Sequence, residues 1–189
     1  MSNVRLVFKS VSEIIGTKEI GLLIMVDEQE QRQLAIPCDN SMLYQFGLRI
    51  KQVPIINKLL PEVLLQVIQT QTDLHFEIVI NNLIDGQFRA ILYNVDTLEP
   101  IAMRASDAIL LSIISKIPIY IDTDLMDKQS VEYHKDSRSI SIPVNTISEE
   151  MLNDALNKAI KDENYELASN LRDEIYKRKS ESGERKLDY

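Results

Sequence analysis

The sequence predicts an α+β fold in which a three-strand-plus-helix unit occurs twice, layered sheet, helix, sheet, and is followed by an antiparallel α-helical hairpin. Three observations carry this expectation. Apolar and polar residues alternate through several short runs, the period-two signature of strands. The order strand, strand, strand, helix is met twice along the chain. Near Thr146 the apolar spacing changes from two to that of a helix.

The first unit opens with Val4, Leu6 and Phe8 alternating with Arg5 and Lys9, a half-buried strand. Ile20, Leu22, Ile24 and Val26 form a second run, the polar turn Asp27 to Gln31 follows, and Leu34 and Ile36 mark a short third strand. A helix is expected from about Asp39 to Leu48, with Asp39, Asn40 and Ser41 each able to cap it. In the second unit Leu74, Phe76, Ile78 and Ile80 alternate with His75, Glu77 and Val79. Asp85-Gly86 separates this run from Phe88, Ala90 and Leu92, and Asp-Gly between alternating runs is a strong hairpin signal because both residues accept positive φ. A third strand covers about Leu98 to Met103, and Ser106-Asp107-Ala108 opens a helix to about Ser115.

Both helices exit into similar text, Val53-Pro54-Ile55-Ile56 and Ile117-Pro118-Ile119-Tyr120, which favours duplication over coincidence. The second helix carries Ala108, Ile109, Leu110, Leu111, Ile113 and Ile114, so it has almost no polar face and needs cover on several sides. Sheets on both sides of the two helices would supply it. Leu59 to Ile68 reads as a further helix with Pro61 in its first turn.

Residues 1–125 are read as the duplicated domain, 126–145 as a linker or peripheral segment, 146–180 as the hairpin and 181–189 as a charged, frayed tail. Thr146-Ile147-Ser148-Glu149 fits a capping box. Leu152, Ala155, Leu156, Ala159 and Ile160 form one apolar stripe, and Tyr165, Ala168, Leu171 and Ile175 form the facing one. A hairpin this small buries little surface, so it is expected to dock on something.

Composition narrows the function classes. An apolar content of 44% and a charged content of 26% in 189 residues are those of a globular protein. A net charge of -8 and a pI near 4.9 argue against general coating of nucleic acid, because an acidic surface forgoes counterion release. A metal-assisted nuclease stays compatible with that charge. The one cysteine, Cys38, rules out an intrachain disulfide and a cysteine-rich zinc site, and it fits a reducing cytoplasm. His75 and His134 lack metal-ligand spacing. The sequence starts without the pattern of a signal peptide and has no apolar run long enough to span a membrane, so a cytoplasmic location and no membrane partner are expected.

Two stretches resemble known families. RASDAILLSIISKIPIYID from Arg104, with the upstream NLIDGQFRAILY, resembles the signature of the bifunctional nuclease domain family over roughly residues 3 to 125. The resemblance implies the sheet, helix, sheet arrangement of the duplicated unit, and nuclease activity on DNA and RNA. Ala105 replaces the family's usual proline, Asn40 stands where an acid is usual at the first junction, and Leu60-Pro61-Glu62 replaces a Thr-His-Asp run. The second stretch, ALNKAIKDENYELASNLRDEIYKRK, resembles the UVR motif of excision-repair proteins B and C. That motif implies protein–protein contact rather than catalysis.

These readings select candidate residues. Aligning the two strand-to-helix junctions pairs Asp39-Asn40-Ser41 with Ser106-Asp107-Ala108. Converging carboxylates of Asp39 and Asp107 would hold a divalent cation, Mg²⁺ or Mn²⁺, for phosphodiester cleavage. The plainer reading is that Ser106 and Asp107 cap a helix. Arg104 either grips a phosphate bidentately or pairs with Asp107 to fix the turn. Glu62 is an acid–base candidate. Asp85 is read as a turn residue and His75 as a surface or partly buried strand residue. Cys38 is either a thiol activated at a helix start or, more simply, a buried inert one. On the hairpin, Tyr165, Glu166, Arg172 and Asp173 are the partner-binding candidates, against an ordinary solvated face. The expected partners are therefore DNA or RNA as substrate, a protein on the hairpin, and a second copy of the chain. A non-catalytic adaptor with a self-associating domain is the competing function.

Overall fold

The structure is a computed structural model that describes residues 2–13, 20–135, 146 and 149–185. The chain divides into two compact units, Met1–Asn82 with Phe88–Ile140 and Leu83–Gln87 with Ser141–Tyr189.

In the first unit the order strand, strand, strand, helix occurs twice. Strands β1 (Asn3–Glu13), β2 (Ile20–Asp27) and β3 (Arg32–Asp39) lead into helix α1 (Asn40–Ile50). A 3₁₀ turn at Pro54–Lys58 and helix α2 (Leu60–Gln71) connect to the second set. That set is β4 (Phe76–Ile84), β5 (Gln87–Asn94), β6 (Pro100–Arg104) and helix α3 (Ala105–Ser115). Strand β7 (Ile119–Asp122), helix α4 (Thr123–Gln129) and strand β8 (Val131–Glu132) follow.

The α+β class and the repeated strand, strand, strand, helix order are as the sequence predicts, and the structure adds how the strands of the two repeats are joined. All eight strands share one hydrogen-bonded run in the order β6-β5-β4-β7-β1-β2-β3-β8. Strand β7 joins the repeats, parallel to β4 through Ile78↔Ile119 and antiparallel to β1 through Leu6↔Ile119. The second Pro-Ile exit thus supplies the connecting strand, whereas the first becomes the 3₁₀ turn.

Burial follows strand position. In β2 every residue from Gly21 to Asp27 is buried, because the strand is central and covered on both faces. Gly21 makes room there for Leu43 on α1: a Cβ would stand 2.1 Å from its Cδ2, so the Leu43 side chain would have to move. In β1 the alternation holds, with Leu6 buried and Val7 exposed, and an irregularity between Phe8 and Ser10 shifts the register against β2. The rings of Phe8 and Phe46 pack at 5.4 Å between centroids, tying α1 to β1. The turn at Asp85-Gly86 has φ of 52° and 75°, the two positive values that a tight hairpin needs.

Helix α3 explains its own composition. Ala105, Ser106, Ala108, Ile109 and Leu110 are buried, and the helix touches β3, β6, β7, α1 and α2. Surfaces from both repeats therefore cover its nearly continuous apolar exterior. His75 is exposed, which fits a surface position, and stands one residue before β4 rather than inside it. The segment 126–145, read as a linker or peripheral stretch, holds the end of α4 and the outer strand β8 among its described residues. Met126 of α4 is fully buried, and Arg32 pairs with Asp127 at 2.6 Å.

The second unit holds helices α5 (Glu149–Lys161) and α6 (Tyr165–Arg185). Leu152, Ala159, Ala168, Leu171 and Ile175 form its core, with Ala155 and Leu156 packed against them. Small alanines at the contact let the two helices approach closely. Two residues assigned to the stripes from their spacing are exposed instead, Ile160 and Tyr165. Both flank the turn, beyond the point where the helices face each other. Glu163 takes φ 55° in that turn, and Asn164 accepts the Leu167 N–H through its side chain. Thr146 is buried, but Ile147 and Ser148 of the expected capping box lie outside the described residues. Helix α6 continues through Arg185, further than the expected end of the hairpin; the last residues of the tail, 186–189, lie outside the described residues.

Candidate active site

Each repeat ends a strand and starts a helix, and the structure brings the two junctions together. Asp39, the last residue of β3, has the extended backbone of an N-cap, and its carboxylate accepts the Met42 N–H at 2.8 Å. It caps α1, and neither Asn40 nor Ser41 takes that role. At the second junction Arg104 occupies the cap position of α3 without a side-chain cap bond. Ser106 and Asp107 therefore do not cap α3, contrary to the plainer sequence reading. Asp107 lies in the first turn, where the helix dipole favours a negative charge. Ser106 is buried one residue earlier.

Arg104 connects the two. Its Nε and Nη2 donate to Asp107 at 2.5 and 3.2 Å, a bidentate contact, and its Nη1 donates to Asp39 Oδ2 at 2.9 Å. Backbone donation from Met42, followed by the Arg104 guanidinium, holds the Asp39 carboxyl below the usual carboxylate range. Asp107, and then Asp39, raise the pKa of Arg104. All three side chains stay open to solvent, at 54% for Arg104, 48% for Asp39 and 37% for Asp107. Pairs this exposed contribute about 0–1 kcal/mol each, so an incoming anion can displace them.

The carboxylates suit a divalent cation in kind but not in arrangement. Each of their four oxygens accepts a donor already, and the guanidinium stands where a shared cation would. Among the described residues no group of three His, Cys, Asp or Glu side chains is placed to hold a metal. The site does not fit a metal while Arg104 keeps this position.

The remaining candidates lie elsewhere. Glu62 binds Arg49, with both its oxygens at 2.7 and 2.9 Å from Nη2 and both side chains largely buried. Arg49 also donates to the carbonyl and side chain of Gln45. Glu62 thus fastens α2 to α1, away from the Arg104 cluster. Sequence reasoning missed Arg49, since nothing local in the chain signals a partner across a helix, a turn and a second helix. Cys38 is buried, and burial pushes its thiol up to about 12, the opposite of activation. Asp85 makes its turn. Tyr93 was also missed: its hydroxyl donates to Glu77 at 2.6 Å across β5 and β4, which pushes its pKa up to about 12.

The deciding comparison covers more than half of the sequence: the family model described as bifunctional nuclease domain matches residues 22–134. The chain belongs to the bifunctional nuclease domain family. The matched bifunctional nuclease domain includes both junctions and α4 and β8. A second model, the UvrB/uvrC motif, matches residues 150–177, nearly all of α5 and the first part of α6. Comparison with curated proteins found no match. In the motif Tyr165, Glu166, Arg172 and Asp173 are all exposed. Arg172 lies 3.5 Å from Asp173 and 3.4 Å from the Ser169 hydroxyl, contacts weak enough to be exchanged for a partner's groups. No helix among the described residues is long and apolar enough to cross a membrane.

Proposed function

We propose that this chain hydrolyses phosphodiester bonds of DNA or RNA at the Arg104 junction, and that its C-terminal hairpin docks a protein partner. The observation that carries the reading is the bracketing of one exposed arginine by acids from both repeats. A phosphate presents the same paired oxygens to a guanidinium as a carboxylate does, so Arg104 can exchange Asp107 for substrate. That exchange frees the Asp107 carboxylate beside the bound phosphate, where it takes a proton from the attacking water as the new P–O bond forms and the bond to the leaving oxygen breaks, that oxygen being protonated from solvent. Ser106 lines the start of the same helix. Glu62 is left out of this assignment because Arg49 holds it. A cytoplasmic setting fits the single buried cysteine.

The test is cleavage of labelled single- and double-stranded DNA and RNA with Mg²⁺, with Mn²⁺ and with chelator. Wild type is compared with Asp107→Asn and Arg104→Gln, each checked for native circular dichroism. Cleavage that falls at least tenfold in both variants supports the site, and the chelator arm decides whether a metal takes part. Cleavage unchanged in both variants sinks the assignment.

One observation favours a second reading, a non-catalytic adaptor that self-associates. Both carboxylates at the junction are already paired with a side chain of the same protein, Arg104. No cleavage under any condition, together with a protein captured by wild type and lost with Arg172→Ala plus Asp173→Ala, would establish it.

A further inference from the structure

Helix α1 carries a second feature, which the junction does not use. A groove of about 480 Å³ lies against the helix and Val11 of β1, lined from Asn40 at the helix start to Lys51 at its C-cap. The volume is in the range of a small-molecule site, about 300–1,000 Å³. Gly47 lines it in the helix interior. A Cβ added there would meet nothing within 4 Å, and the residue does not take a positive φ. Neither packing nor backbone geometry calls for glycine, which weakens a helix interior relative to alanine. What the glycine preserves is open space in the groove. Tyr44, one turn earlier on the same side, is 65% exposed. Its hydroxyl and the Asn40 side-chain amide have no hydrogen-bond partner among the described residues.

We propose that this groove is a nucleobase subsite beside the Arg104 junction, in which one base of the bound strand lies over Gly47 with its face on the Tyr44 ring. The inference rests on the preceding reading only for where the neighbouring phosphate sits. Three arguments select a base. The first is continuity. Asn40, at the near end of the groove, follows Asp39, whose carboxylate accepts from Arg104 at 2.9 Å. Consecutive Cα atoms are about 3.8 Å apart, so a phosphate on Arg104 leaves the adjoining nucleoside at the mouth of the groove. The second is chemistry. A base has flat π faces and a polar edge, and the groove offers a free ring and a free amide. Stacking on a ring accepts any base, and an amide that both donates and accepts suits any base edge. The third is charge. In a chain of -8, no carboxylate is among the described residues lining the groove, and Lys51 is their one charge. The helix dipole already favours a cation at that C-terminal position. Stacking releases no counterions, so the subsite adds affinity without steepening the salt dependence.

The test is binding of a short labelled single strand of DNA to the full chain in chelator, by fluorescence anisotropy, with cleavage measured separately. Tyr44→Ala and Gly47→Phe are each expected to weaken binding at least about fivefold, with unchanged circular dichroism. Tyr44→Phe keeps the ring and is expected to bind within about twofold of wild type. Gly47→Ala leaves most of the space open and should also bind as wild type does. A strand of the same length without bases should bind wild type and Tyr44→Ala alike. Should Gly47→Phe lose helix signal, the comparison of Tyr44→Ala with Tyr44→Phe decides the matter, because an exposed ring does not carry the fold. Groove variants that bind as wild type does, or a baseless strand bound as tightly as the full one, overturn the subsite. The junction reading then stands if Arg104→Gln still loses cleavage. Binding lost in the groove variants but untouched in Arg104→Gln upholds the groove as a base site and counts against the junction reading alone. A wild type that binds no strand overturns the subsite, and the cleavage assay by itself decides the junction.

Discussion

A guanidinium held by two carboxylates carries its own pH signature. Asp39 has a folded pKa below its ordinary value, first through the Met42 N–H and then through Arg104. The native state therefore favours the charged form. The stability this gives is fully present above the unfolded carboxyl pKa, near about 4, and is lost as pH falls through the folded value. Because the side chain is 48% exposed, the electrostatic part is small, below about 1 kcal/mol. Asp39→Asn keeps a cap acceptor and loses only the charge, whereas Asp39→Ala loses the cap as well, for about 1 kcal/mol. Urea midpoints measured from neutral pH downward should show the gap between wild type and Asp39→Asn closing below about pH 4, while the Asp39→Ala gap persists in part. A gap to Asn that does not change with pH would mean that the ion pair contributes nothing. The residues of this site were legible in the sequence because each lies at a junction marked by local signals, a polar residue ending an apolar run. Which residue caps was not legible. Asp39, Asn40 and Ser41 are chemically equivalent as caps, and the choice depends on where β3 stops pairing with β2, which it does at Ile20↔Asp39.

At the scale of elements, the sequence was most informative where the signal is periodic. β1, β2, β4 and β5 were legible because side-chain alternation is a local record of which face is wet. Roles that depend on distant partners were not. Glu62 reads as a free acid in a helix, yet its environment is set by Arg49 on another helix. Tyr165 and Ile160 fit the helical period, but the hairpin turn falls beside them, and periodicity does not record where a partner helix ends. The Arg49–Glu62 pair then predicts how α1 and α2 hold together. Removing one member leaves the other charge buried alone, so Glu62→Ala should cost about 3–5 kcal/mol in chemical denaturation. Replacing both, as Arg49→Met with Glu62→Leu, should recover most of that loss, since a well-packed apolar pair does without the desolvation penalty. If Glu62→Ala costs less than about 1 kcal/mol, the pair is solvated and the assignment of Glu62 to structure rather than chemistry fails.

For the molecule as a whole, charge and site pull in opposite directions. A net charge of -8 repels a nucleic acid at long range, while in the proposed reading Arg104 at the start of α3 would attract one phosphate at short range. Basic nucleic-acid-binding proteins neutralise many phosphates and lose affinity steeply with salt. Each phosphate neutralised contributes a slope of about -0.9 on duplex DNA, or about -0.7 on a single strand, to log affinity against log salt. A junction with one available guanidinium should therefore give a slope no steeper than about -1. Screening of the overall repulsion should flatten it further, because added salt also weakens the unfavourable long-range term. The same reasoning distinguishes the site from the rest of the surface: Arg104→Gln should remove the remaining slope, and Lys58→Gln, away from the junction, should leave it unchanged. The measurement is fluorescence anisotropy of a labelled oligonucleotide in chelator, across a salt series, for wild type and both variants. A wild-type slope steeper than about -3 would mean that several cations contact the backbone together, which would move the nucleic-acid interface away from the two helix starts.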